Sequence, residues 1–117
     1  METTDVSDPQ ALWVKEEALR RLGGNEALLS KIVELFLKQI NEKLNEFTLA
    51  LDAMDPTQVA FVSHAIKGIA ADVGANALRF KASEFEQLAK LGVLEEVVQQ
   101  KTKFDNIVAQ TIEAMTK

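Results

Sequence analysis

Apolar residues along this chain recur every three or four positions and never in sustained alternation, so its segments read as amphipathic helices and none as a strand. Near the start, Asp8 caps a helix that Pro9 opens, where a missing N–H costs nothing; it runs to Leu22 and Gly23-Gly24 end it. The longest stripe is Val33, Phe36, Ile40, Leu44, Phe47, Leu51 and Met54, one face of a second helix from its cap Asn25 to Met54. That length invites a kink or break, although no residue marks one. Asp55-Pro56 repeats the start signal for a third helix, which runs to Val73 and stops at Gly74. Asn76 caps a fourth, with Leu78, Ala82, Phe85 and Ala89 on one face and Gly92 as its stop. A last helix runs from about Leu94 to the C-terminus with Val97, Phe104, Val108 and Met115 inward. Short connections make neighbours antiparallel. The predicted fold is all-α: an up-and-down four-helix bundle with an additional N-terminal helix. Residues 1–8 form a polar lead or linker and residues 9–117 one domain; no repeat or low-complexity tract interrupts it.

Composition narrows the function classes. The 117 residues suffice for one domain with a core, and the 47% hydrophobic and 26% charged content is that of a folded globular chain. The absence of cysteine removes disulfides, thiolate metal sites and cysteine nucleophiles. A net charge of -5 argues against a nucleic-acid partner, which would require a basic face. No apolar run approaches the roughly 20 residues of a membrane span, and the acidic start Met1-Glu2-Thr3-Thr4-Asp5 is unlike a signal peptide. A cytoplasmic protein without direct membrane contact is expected.

The candidate chemistry lies on the third helix. His64 is the one histidine of the chain, and in His64-Ala65-Ile66-Lys67-Gly68 the imidazole, the ammonium of Lys67 and the bare Gly68 stand at i, i+3 and i+4, one surface patch. With Ile66 taken as the centre of the buried stripe, Val59, Val62, Ile69 and Val73 fall within about 60° of it, whereas His64 and Gly68 fall about 160° away on either side. Phe61 and Ala71 share that outer face, unless the helix is buried on two sides and Phe61 joins the core. A lone exposed histidine is ordinarily an unremarkable surface residue, and a lysine beside it a solvated charge. Gly68 is harder to dismiss, because glycine inside a helix costs about 1 kcal/mol relative to alanine. Close approach of a partner to His64 would account for it. A nucleophilic imidazole, a cation and a clear approach are what carrying a phosphoryl group on nitrogen requires.

Other classes lack their parts. A kinase would need a glycine-rich phosphate loop, a di-metal bundle enzyme Glu-x-x-His pairs, and Phe61 stands three residues before the single histidine. A hydrolase would need a hydroxyl within reach, and Ser63 points about 100° away from His64. The competing reading is a non-catalytic helical docking or dimerisation module in which His64 is incidental.

The run His64-Ala65-Ile66-Lys67-Gly68-Ile69-Ala70-Ala71-Asp72-Val73-Gly74-Ala75 resembles the signature of histidine-containing phosphotransfer (HPt) domains: His, any residue, an aliphatic, Lys, Gly, mostly small residues, then an aliphatic and Gly. Leu78, Ala82, Phe85 and Glu86 continue it. The stretch from Ala18 to Leu29 with Leu35-Phe36-Leu37 is similar to HPt domains at the C-terminus of hybrid sensor kinases. Ile69 departs from the usual Ser or Ala and Phe85 from the usual Leu, both at positions that face inward. The resemblance implies a phosphorelay intermediate. A receiver-domain phospho-aspartate would pass its phosphoryl group to His64, through Nε2, and a second receiver aspartate would take it. Lys67 would offset the phosphoryl oxygens, Gly68 would leave room for the donor, and Glu86 would hold the other ring nitrogen. Phe61 and Ala71 would meet the partner. The chain itself is expected to have no ATP-binding or kinase activity, to hold no metal or cofactor, the Mg2+ residing on the receiver, and to be a monomer. The remainder of a hybrid kinase is a further candidate partner.

Overall fold

The side chain of Asp55 accepts the Gln58 backbone N–H at 3.1 Å, and Pro56 follows as the first helical residue, so α3 begins where the Asp-Pro pair places it. The computed structural model describes residues 11–117. Among the described residues there are six helices and no strand: α1 Lys15–Arg21, α2 Glu26–Asp52, α3 Pro56–Val73, α4 Asn76–Lys90, α5 Glu95–Gln99 and α6 Lys101–Thr116. α2 packs on α3, α3 on α4, α4 on α6 and α6 back on α2, which closes an antiparallel four-helix bundle. α1 lies against α2 and α3 as the additional N-terminal helix.

The core fills the ring. Phe47 of α2, Phe85 of α4 and Phe104 of α6 meet with ring centroids 5.0–5.7 Å apart, and each is fully buried. Phe85 thus faces inward as expected. Val59, Val62, Ile66 and Val73 contribute α3's buried stripe, and Ile69 packs half-buried against it. α2 is a single uninterrupted helix, capped by the Asn25 side chain, which accepts from Leu28 N–H at 3.0 Å.

Four boundaries differ from expectation. The first helix does not occupy residues 11–14. Asp8 and Pro9 lie outside the described residues, and α1 begins only at Lys15. The preceding segment instead lies across the α3–α4 turn: Val14 N–H donates to Gly74 O, Trp13 Nε1 to Val73 O and Ala77 N–H to Ala11 O, all at 2.8 Å. These bonds satisfy terminal carbonyls of α3 and a terminal N–H of α4, a long-range gain that overrides local helix signals. That same bond replaces the expected Asn76 cap. Asn76 is the first residue of α4 and fully buried, Ala75 stands at the cap position without a side-chain bond, and Ala11 O serves the N–H of Ala77. Met54 does not extend the buried stripe of α2. It sits beyond the helix end with φ 51° and is exposed. The last helix is divided at Gln100, whose side chain accepts from Lys81 at 2.6 Å and donates to Glu84 at 3.4 Å, anchoring the junction to α4.

Gly74 is the one glycine at which an added Cβ would meet a neighbour. It adopts φ 79° at the end of α3, and a Cβ there would stand 2.6 Å from Val14 O. The α3–α4 turn therefore closes around the extended segment only with glycine. That turn fixes the relative register of α3 and α4, the two helices that share the candidate site.

Candidate functional site

α3 buries one stripe against the bundle and leaves the opposite face open, which is why His64, Gly68 and Phe61 emerge together. The His64 side chain is 69% exposed. Phe61, one turn earlier, is equally open and so belongs to the outer face rather than the core. A Cβ on Gly68 would meet nothing within 4 Å, so no neighbour within the protein requires glycine there. Ser63 points inward and is fully buried, clear of the imidazole.

The neighbouring helix completes the site. Phe85 directs α4 into the core, and Glu86, the next residue, is carried to the α3–α4 boundary with only 3% of its surface exposed. Burying a carboxylate is costly unless it is paired. Glu86 has three partners. His64 Nδ1 is hydrogen-bonded to Oε2 at 3.0 Å. Lys67 Nζ lies 2.7 Å from Oε1, as an ion pair rather than an aligned hydrogen bond. Lys90 Nζ, one turn along α4, pairs with Oε2 at 3.1 Å. Burial pushes the Glu86 carboxyl upward, but Lys67, Lys90 and His64, in that order, outweigh it and hold the group at about 2.

That ionised state determines the imidazole tautomer. A carboxylate only accepts hydrogen bonds, so the proton of the His64–Glu86 bond resides on Nδ1. Nε2 is then the nitrogen with the free lone pair, on a ring that is mostly exposed. The arrangement can present Nε2 as an oriented nucleophile and stabilise the positive charge that develops on the ring when Nε2 forms a bond.

Of the residues singled out in the sequence, His64, Lys67 and Glu86 are brought into direct contact, and Gly68 and Phe61 flank them on the same face. Ala71 stands apart. It is half-buried, its carbonyl accepts from Arg21 Nη2 at 2.6 Å, and it borders a depression lined by Glu17, Arg20, Arg21 and Arg79. Lys90 was not singled out, although its spacing of four from Glu86 is a signal for an ion pair along a helix. Among the described residues there is no group of His, Asp or Glu side chains placed to hold a metal ion, and no helix long and apolar enough to cross a membrane.

A helical bundle that displays a histidine on an outer helix face, with its second nitrogen bound from the next helix, has the form of a histidine phosphotransfer module. The family model of the Hpt domain matches residues 31–115, well over half of the chain, and the chain belongs to that family. No curated protein and no solved structure matches it. Hpt domains act in phosphorelay signalling by histidine phosphotransfer and interact with response-regulator receivers; they are phosphotransfer modules and not kinases.

Proposed function

We propose that His64 is the phosphoryl-carrying residue of this Hpt domain. It accepts the group from a receiver phospho-aspartate and returns it to the aspartate of a second receiver. The observation that carries this reading is the 3.0 Å bond between His64 Nδ1 and ionised Glu86 on an otherwise exposed ring. In the forward step the Nε2 lone pair attacks phosphorus, the acyl P–O bond breaks and the aspartate leaves as a carboxylate. The Nδ1 proton stays in its bond to Glu86, so the ring becomes a cation whose charge the carboxylate offsets. Reversal at the second receiver breaks the P–N bond and restores the neutral ring.

Lys67 supplies positive charge to the transferring oxygens, being one turn from His64 on the same face. Gly68 keeps the approach to Nε2 clear, and Phe61 offers an apolar contact for the receiver beside it. Ala71, whose carbonyl accepts from Arg21 Nη2, would meet the receiver only if the contact extends along α3 beyond Gly68. The Mg2+ of the transfer belongs to the receiver, and this chain contributes side chains and no cofactor. The domain acts as a monomer in the cytoplasm, with receiver domains as its partners.

The test is transfer from a panel of phosphorylated receivers. Acid-labile, base-stable label on the parent chain that is lost in His64→Gln supports the reading, because no second histidine exists. A folded parent chain that takes no label from its cognate receiver, or a His64→Gln variant that retains it, overturns it in favour of a docking module.

A further inference from the structure

Glu86 has more cationic partners than orienting one imidazole requires. Its Oε1 is paired with Lys67 of α3 at 2.7 Å, and its Oε2 is shared by His64 Nδ1 and by Lys90 Nζ at 3.1 Å. Lys67 is also the ammonium nearest in sequence to the proposed acceptor on its own helix face. In this structure, therefore, the cation that would serve the phosphoryl oxygens is committed to a buried carboxylate.

Moving Lys67 to a phosphoryl group removes one charge partner from a side chain that is only 4% exposed. Glu86 would be left with the imidazole alone if nothing else neutralised it, and an unpaired buried carboxylate opposes the movement. Lys90 removes that opposition. It approaches from α4 onto the oxygen that Lys67 does not use, so its pairing survives when Lys67 leaves. Its side chain is 58% exposed, so it has no core-packing role to confuse with this one.

We propose that Lys90 is a positioning residue that acts through Glu86: by holding the carboxylate's Oε2, it frees Lys67 to pass from Oε1 to the phosphoryl group on His64. The proposal rests on His64 being the acceptor. It makes Lys67 a two-position element, on Glu86 in the free state and on the phosphoryl oxygens in the loaded state.

Phosphoramidate tests this without a receiver. The P–N bond of the donor breaks, ammonia leaves and the phosphoryl group bonds to the imidazole. The decay of the phosphohistidine is then followed by 31P NMR in the full chain. Lys90→Gln is expected to shorten the lifetime about two- to fivefold, the scale of an exposed ion pair, while Lys90→Arg restores it. In a Glu86→Gln background Lys90→Gln should have no further effect, because the carboxylate through which it acts is gone. Should Glu86→Gln fail to fold, a Lys67→Gln background makes the same demand. A lifetime in Lys90→Gln equal to that of the parent overturns the proposal. So does an equal shortening in either background, which would mean that Lys90 touches the phosphoryl group itself. A parent chain that takes no label from phosphoramidate or from receivers overturns the reading of His64, and the role of Lys90 with it.

Discussion

Glu86 Oε2 and His64 Nδ1 meet at 3.0 Å across the α3–α4 boundary, one group buried and the other mostly exposed. The buried partner is ionised and can only accept, so it dictates where the exposed partner keeps its proton. Glu86→Leu removes that constraint while the two lysines, both partly exposed, can turn to water. The expected outcome in 15N NMR is a parent ring in the Nδ1–H tautomer and a variant ring populating both. Transfer from a receiver should slow by roughly ten- to hundredfold, taking the scale seen when a carboxylate that orients a metal-bound imidazole is removed. An unchanged tautomer ratio in Glu86→Leu would show that the bond does not set the protonation site.

The same carboxylate links stability to pH. Its pKa is depressed in the folded chain to about 2 from an ordinary value of 4.5. A group of this kind contributes stability that is fully present above its unfolded pKa and is lost as pH falls through the folded one. Urea unfolding of the parent should therefore weaken between about pH 5 and pH 2 more steeply than that of Glu86→Gln, which cannot titrate there. Glu84, also lowered chiefly by its bond to Lys81, titrates in both proteins and cancels in the difference. Parallel pH profiles would remove Glu86 from the acid transition.

Gly68 separates stability from function. A Cβ there meets open space, so Gly68→Gln should keep the fold and gain about half a kcal/mol in helix propensity. Its side chain would project beside the imidazole and obstruct an approaching receiver. Denaturant midpoints should rise slightly while receiver-to-domain transfer slows. Transfer at the parental rate would leave the glycine without a steric role.

How much of this was legible in the sequence depends on how local each signal is. Asp55, Pro56 and Gly74 bound α3 as read, and counting 100° per residue from Ile66 places His64 and Gly68 outward because the helix is regular throughout. Met54 misled because the periodicity of α2 outlasts the helix: its next step falls in a left-handed turn. Residues 11–14 depart from the expected first helix for a different reason. Their segment is held by bonds to Val73 and Ala77, some sixty residues away, and no local pattern encodes such a partner. In the site, the link from Glu86 to His64 was legible through family resemblance. Lys90 carries no signal in the sequence beyond its spacing of four from Glu86, and only the burial of Glu86 gives its position meaning.

The extended segment is also where the register of the two site helices is exposed to a single substitution. Gly74→Ala places a Cβ 2.6 Å from Val14 O and forces an alanine into φ 79°. The left-handed conformation alone costs a non-glycine residue about 1–2 kcal/mol, and relief of the clash requires Val14 to move and its 2.8 Å bond to Gly74 O to lengthen. A loss of about 2 kcal/mol or more in urea unfolding is expected. Trp13, the one tryptophan of the chain, reports on the same event, because its Nε1 bond to Val73 O depends on the segment staying in place. Its fluorescence should shift to the red in folded Gly74→Ala as water reaches the indole. A stable variant with parental emission would show that the turn accommodates a side chain and that the segment does not clamp it.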